Sequence, residues 1–364
     1  MPRHETTRRA LLKAAAATGL AAPVLSRGAA AQTPRKVTLT LSWVAEGASA
    51  YPYVAKSRGY WSEAGLDVDI VRGYGSVAAT QAVGAGRFDF GLSASPTPIL
   101  LAAKGLPVIQ IACCGYDSTM GINVLADSPI RAPKDLEGRR LGVTPTSGDY
   151  PFIPAFARKT GLDLDKVLIT QVDGNVRSRL LTEKKVDAID GYAVSNLPVF
   201  AATGVDTRFL LFSSYGLTFS GIGLITRRAT VKSDPQLCTA MAVGLLKGLR
   251  DCLVQPDSAL ELFFKEVPEI AASATARKQS RIGLGIFCTS MLSEIPKQHG
   301  LGFAPPEDYE AMIDLTMEYA ADKADVRPKV ADVVTNESIG SVKMSDAEWS
   351  KAAASLVEFT QYLR

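Results

Sequence analysis

A two-lobed α/β fold is what this chain predicts, and three observations carry the expectation. Strand-like and helix-like segments alternate as β-α-β-α-β from Val37 to about Leu92. The same order starts afresh at Arg140. The chain has 364 residues, enough for two hydrophobic cores even after an amino-terminal leader is removed. Short strands joined to helices by short connections build mostly parallel sheets covered by helices, and two such units leave a cleft between them.

Val37–Trp43 alternates polar and apolar residues and forms the first strand, followed by a helix carrying Tyr51, Tyr53 and Val54. Leu66–Val71 is the second strand, Gly73-Tyr74-Gly75-Ser76 opens a helix, and Arg87–Leu92 is the third strand. That strand ends in Ser93-Ala94-Ser95-Pro96, with Ser95 as N-cap and Pro96 at the first helical position. Free N–H groups of a first helical turn then face the strand's carboxyl end, where open α/β sheets hold ligands. Val108–Cys114 and Gly121–Ala126 complete this half.

In the second unit, Arg140–Val143 is a strand, Thr144–Tyr150 a second hydroxyl-rich turn, and Phe152–Lys159 a helix. Val167–Val172, a helix over 174–182 and Val186–Gly191 repeat the order. Phe209–Tyr215 and Gly221–Ile225 are further strands. Ser233-Asp234-Pro235 starts a long helix with Leu237, Met241, Leu245, Leu246 and Leu249 along its apolar face, and prolines divide the remainder into several helices.

The amino terminus has the pattern of a twin-arginine export signal over residues 1–31: Arg8-Arg9, a short alanine-rich apolar run, and Ala29-Ala30-Ala31 before the cut. The apolar run is too short and broken to span a membrane. The whole chain carries net charge +3; cutting after Ala31 removes five basic residues and one acidic one, leaving net −1. No dense positive face remains for nucleic acid and no polybasic block for an anionic membrane. After the cut His299 is the one remaining histidine, which rules out a histidine-based zinc triad, and the glycines have neither P-loop nor Rossmann spacing. No metal, cofactor or catalysis is expected. Five cysteines without regular spacing define no disulfide framework, and buried free thiols are the default.

The segments GYWSEAGLDVDIV, AVGAGRFDFGLSASPTPILLAAKGLPV, SPIRAPKDLEGRRLGVTPTSGDYPF and LLTEKKVDAIDGYAVSNLPVF, in that order, resemble the periplasmic substrate-binding proteins of ABC importers related to the thiamine-pyrimidine synthases. The resemblance covers roughly Val37–Leu249; Val334-Thr335-Asn336-Glu337 is similar to a segment of the pyrimidine-binding branch. It implies a type II periplasmic binding protein, a clamshell of two α/β lobes with a helical carboxyl-terminal region. Residues 32–120 and 228–364 form lobe 1, 127–220 form lobe 2, and 121–126 and 221–227 are the hinge crossings. It further implies closure on a small organic solute that is delivered to an ABC permease; the leader itself predicts export to the periplasm by the Tat translocase, and a monomer is expected. A pyrimidine or other heteroaromatic ring is the expected solute, with sulfonate, nitrate or an aromatic acid as alternatives. Two readings of another class are a sensing partner of a membrane receptor and a pyrimidine-synthase-like enzyme. The synthases carry a cysteine-rich motif of which Cys113-Cys114-Gly115-Tyr116 keeps two cysteines, without a matching histidine.

The family places ligand contacts at strand ends. Trp43 offers a face for ring stacking, and at most one of Tyr51 and Tyr53 can look into the cleft, with Tyr51 the candidate. Ser93 and Ser95 offer hydroxyls beside free helix N–H groups, and Tyr116 follows the fourth strand at the hinge. Thr146, Ser147, Gly148 and Asp149 form the opposing turn, where Asp149 disfavours an anionic ligand. Asp190, Tyr192 and Asn196 suit hydrogen-bond donors on a heteroaromatic ring.

Overall fold

The computed structural model describes residues 33–363, so the expected export signal lies outside the described residues. The first lobe contains β1 (Arg35–Thr40), α1 (Ala50–Ser57), β2 (Leu66–Val71), α2 (Ser76–Gly84), β3 (Phe90–Ala94), α3 (Pro96–Ala103) and β4 (Val108–Cys113). The second contains β5 (Met120–Leu125), β6 (Arg140–Val143), α4 (Ile153–Thr160), β7 (Leu168–Gln171), α5 (Arg177–Thr182), β8 (Ala188–Tyr192), α6 (Ala193–Thr203) and β9 (Thr207–Leu211). The chain then returns as β10 (Ile222–Arg227), followed by α7 (Arg228–Ser233), α8 (Pro235–Val254), α9 (Pro256–Glu266), α10 (Pro268–Ala271), α11 (Ala274–Thr289), α12 (Glu294–His299) and α13 (Pro306–Tyr319).

Strand order is β2-β1-β3-β10-β4 in one sheet and β7-β6-β8-β5-β9 in the other. In each, four strands run one way and a single strand, β10 or β5, runs against both of its neighbours. The two lobes thus repeat one plan, and the mostly parallel α/β clamshell expected from the βαβ order is the observed architecture.

The crossings differ from the expectation. Residues 121–126 and 221–227 are almost entirely strand, and the chain passes between sheets just before them, at 114–119 and 212–221. The strands expected at Gly121–Ala126 and Gly221–Ile225 are present as β5 and β10, and Gly121 pairs with Gly191 on one side and Leu211 on the other, so its backbone groups are spent inside the sheet. The expected strand Phe209–Tyr215 stops at Leu211, and a 3-10 turn over Phe212–Tyr215 begins the second crossing.

The carboxyl-terminal region serves both lobes. Asp234 caps α8 by accepting from the Leu237 amide, with Pro235 at the first helical position. The α8 stripe Leu237, Met241, Leu245, Leu246 and Leu249 is buried with Trp61, Tyr51 and the inner face of β1 in the lobe 1 core. By contrast, Tyr309, Met312 and Ile313 of α13 join Phe152, Phe156 and Phe212 in the other large core. α8 thus sits in the lobe 1 core, whereas α13 bridges the lobes, packing on α3 as well and donating from Tyr309 Oη to Ser95 Oγ at 3.4 Å. All five cysteines are buried and unpaired, and burial pushes the Cys113 thiol up to about 12.

Candidate functional site

Both sheets point the carboxyl ends of their parallel strands at the gap between the lobes, the position at which open α/β sheets bind ligands. The loop after β1 brings Ser42, Trp43 and Glu46 there, and the start of α2 brings Ser76. From lobe 2 come Ser147 after β6, Arg177 at the start of α5, and Tyr192 and Ser195 around the β8–α6 junction. Phe287 and Ser290 at the end of α11 close the floor. These groups enclose a cavity of about 90 Å³.

The lobes meet around it. Val77 N donates to Thr146 O at 3.2 Å, Arg72 Nη2 to Asn175 Oδ1 at 2.6 Å, and Ser195 Oγ to Glu46 Oε1 at 2.6 Å. Gly75, at φ +117°, touches the Thr146 carbonyl so closely that a Cβ would lie 2.0 Å from that oxygen. A left-handed conformation and a backbone-to-backbone approach together require glycine there.

Arg177 organises the lobe 2 wall. Its side chain is 4 % exposed. Nη1 lies 3.4 Å from Asp190 Oδ1, Nη2 donates to Asn196 Oδ1 at 3.1 Å, and Cζ sits 5.4 Å from the Trp43 ring centroid, within cation–π range. Asp190 also accepts from Thr144 N at 2.8 Å. Asp149, hydrogen-bonded by Ser147, is equally buried and adds a second carboxyl near the same cation. Burial raises both carboxyls, each charge opposes the other at Asp190, and Arg177 pulls both back down.

Glu46 faces this wall from lobe 1. Burial raises its carboxyl to about 7, while the Ser195 hydroxyl and the Arg177 charge pull it down. A carboxyl raised on folding stabilises fully below its ordinary value near 4.5, and that contribution is lost as pH climbs through about 7. Glu46→Gln should therefore flatten the fall in unfolding free energy between about pH 5 and pH 8, removing a slope worth on the order of 2 kcal/mol. Denaturant melts across that range give the slopes; parallel wild-type and variant curves would contradict the assignment.

Of the twelve residues expected at the site, Trp43, Ser147 and Tyr192 line the cavity. The others stand behind it. Ser93 bonds Thr80 at 2.8 Å, and Ser95 donates to Gly221 O at 2.9 Å instead of capping α3. Tyr51 stacks on Phe287 at 5.2 Å, and Tyr116 donates to Phe303 O at 2.8 Å. Thr146 contributes the lobe contact through its carbonyl, Gly148 packs against Tyr192, Ser76 and Thr97, and Asp149, Asp190 and Asn196 hold Arg177 or sit beside it. Sequence reasoning missed Glu46, Arg177 and Ser195. Arg177 had one signal: a cation in the first turn of a helix opposes the helix dipole and needs a partner from elsewhere.

Residues 48–259 match the NMT1/THI5 like family model, and the chain belongs to that family. It is 26% identical over 64% of its length to the formylaminopyrimidine-binding protein of Halalkalibacterium halodurans, covering 71% of that protein. It is 25% identical over 79% of its length to the riboflavin-binding protein RibY of Chloroflexus aurantiacus, covering 82% of that protein. A 4-amino-5-hydroxymethyl-2-methylpyrimidine phosphate synthase of Legionella pneumophila is 25% identical over 65% of this chain and 75% of its own. Among solved structures, the alkanesulfonate-binding protein SsuA of Xanthomonas axonopodis superposes with a TM-score of 0.62 at 15% identity, over 83% of this chain and 99% of that one; this likeness is one of fold.

Proposed function

We propose that the protein is an exported solute-binding protein that closes its lobes on an uncharged, nitrogen-containing aromatic ring and presents it to an ABC import permease. The observation that carries the ring is the cavity's lining. Trp43 and Phe287 supply flat apolar faces, and Ser42, Ser76, Ser147 and Ser195 supply hydroxyls able to donate or accept at a ring edge. Charge argues against an anion such as a sulfonate or nitrate. The charged lining groups are Glu46, Asp117 and Arg177, and Arg177 is already matched by Asp190. The pyrimidine- and flavin-binding relatives are in keeping with this chemistry. Periplasmic location and the permease partner follow from the same reading, and among the described residues no helix is long and apolar enough to cross a membrane.

Binding without catalysis is favoured by the cysteines. A nucleophilic role needs a thiolate, and burial drives the Cys113 and Cys114 thiols upward. His299 is exposed, stacks on Phe303 at 4.2 Å and is not part of the cavity lining.

Calorimetric titration of the chain from residue 32 onward with thiamine pyrimidines and flavins tests the reading. One-to-one binding is expected, and Trp43→Ala should weaken it by roughly 1 to 2 kcal/mol with the fold intact. Unchanged affinity in a folded variant would remove Trp43 from the site.

A further inference from the structure

We infer that Gly174 is a positioning residue: the turn that carries it forms a seat on lobe 2 for the Trp43 ring of lobe 1, so that the ring takes its place against the ligand only when the lobes meet. The effect on affinity rests on the ring-binding reading above; the seat itself does not.

The loops that bring the two together are each held in place. Trp43 O accepts from Gly73 N at 2.9 Å and Ser42 O from Gly75 N at 2.8 Å, which ties the backbone after β1 to the loop after β2. On the facing lobe, Asp173 Oδ1 accepts from Asn175 N at 2.8 Å and from Asn175 Nδ2 at 2.6 Å, and Val176 N donates to Asp173 O at 3.1 Å. The turn between β7 and α5 is thus fixed by its own side chain. Gly174 has no positive φ, so its backbone conformation does not demand glycine. Space does. A Cβ there would lie 2.3 Å from Trp43 Cη2, 2.9 Å from Cζ2 and 3.3 Å from Cζ3, and these are its three nearest neighbours. The outer edge of the indole therefore rests on the Gly174 backbone, while Arg177, itself held by Asp190 and Asn196, stands 5.4 Å from the ring centroid. Trp43 borders the inner cavity and Gly174 does not, so Gly174 acts on a ligand through the ring. A methyl group at position 174 has to move the ring by roughly 1 Å to restore ordinary contact.

A four-protein cycle tests the assignment: wild type, Gly174→Ala, Trp43→Phe and the double variant, each as the chain from residue 32, titrated calorimetrically with 4-amino-5-hydroxymethyl-2-methylpyrimidine and with riboflavin. With Trp43 in place, Gly174→Ala should weaken binding by at least about fivefold. In the Trp43→Phe background the same change should cost less than about twofold, because the shorter side chain leaves the seat free. Acrylamide quenching of the unliganded chain adds a readout independent of any ligand. The other two tryptophans, Trp61 and Trp349, are buried in the lobe 1 core, so Gly174→Ala should raise the quenching of Trp43 emission, and Trp43→Phe should abolish that rise. An equal loss of affinity in both backgrounds, or none in either, would overturn the inference and leave ring binding standing. Failure of both compounds to bind any of the four proteins would overturn the ring reading, and quenching unchanged by Gly174→Ala would then overturn the seat as well.

Discussion

Replacing Arg177 by Met should cost the folded chain roughly 3 to 5 kcal/mol, the usual penalty for removing one partner of a buried ion pair. Asp190 would be left fully buried with Thr144 N as its remaining strong partner, and Asp149 would lose the charge that offsets its own burial. Asn196 would lose the guanidinium that ties α6 to α5. The measurement is a urea melt at neutral pH. A second variant decides the cause: adding Asp190→Asn to Arg177→Met should recover a large part of the loss, because the uncompensated carboxylate is gone. Recovery of nothing would mean that Arg177 matters through packing alone.

The second large effect concerns closure. A Cβ at Gly148 would lie 2.6 Å from the Tyr192 hydroxyl, 2.8 Å from Ser76 Cβ and 2.8 Å from Thr97 Oγ1. Ser76 and Thr97 belong to lobe 1, and Ser76 Cβ is fixed to its backbone, so the collision arises when the lobes come together. Gly148→Val should therefore hold the lobes apart and weaken ligand binding about 10- to 100-fold, the effect of 1 to 3 kcal/mol of overpacking. Tyr192 lies in lobe 2 with Gly148, so its share of the clash is felt whether the lobes are open or closed, while the Ser76 and Thr97 share falls on the closed state alone. Small-angle scattering adds a second readout: wild-type protein compacts at saturating ligand and the variant does not. Normal compaction and normal affinity in the variant would show that closure does not bring Gly148 against Ser76.

Local patterning made most of the architecture legible. The alternation at Val37–Trp43 and Leu66–Val71 became β1 and β2, and the restart at Arg140 became β6 of a second sheet. Those signals are short-range, because side chains two apart on a strand face the same way. The crossings were not legible for the opposite reason. Where the chain leaves one sheet for the other depends on distant pairing: Gly121 is held by Gly191 and Leu211, partners about 70 and 90 positions away along the chain.

The site divides along the same line. Trp43, Ser147 and Tyr192 could be found because strand ends and hydroxyl-rich turns mark where a cleft must be. Ser93 and Ser95 have the same chemistry but stayed behind the wall, since β3 runs on through Ala94 and carries both into the interior. Arg177, Glu46 and Ser195 meet only after two lobes fold and approach, and nothing in the residues beside Glu46 signals that Ser195, on another lobe, will donate to it.

Selection of an uncharged aromatic ring by the cleft, as proposed above, is put to the test by a thermal-unfolding screen of the chain from residue 32. The panel holds thiamine pyrimidines and flavins on one side, and alkyl sulfonates, nitrate and aromatic carboxylates on the other. A ligand present at about 100 times its dissociation constant stabilises the folded state by about 2.7 kcal/mol, a shift of several degrees. That shift is expected with at least one ring compound and with none of the anions. A shift produced by sulfonate or nitrate alone would contradict it, because Arg177 would then have to leave Asp190 to serve an anionic ligand.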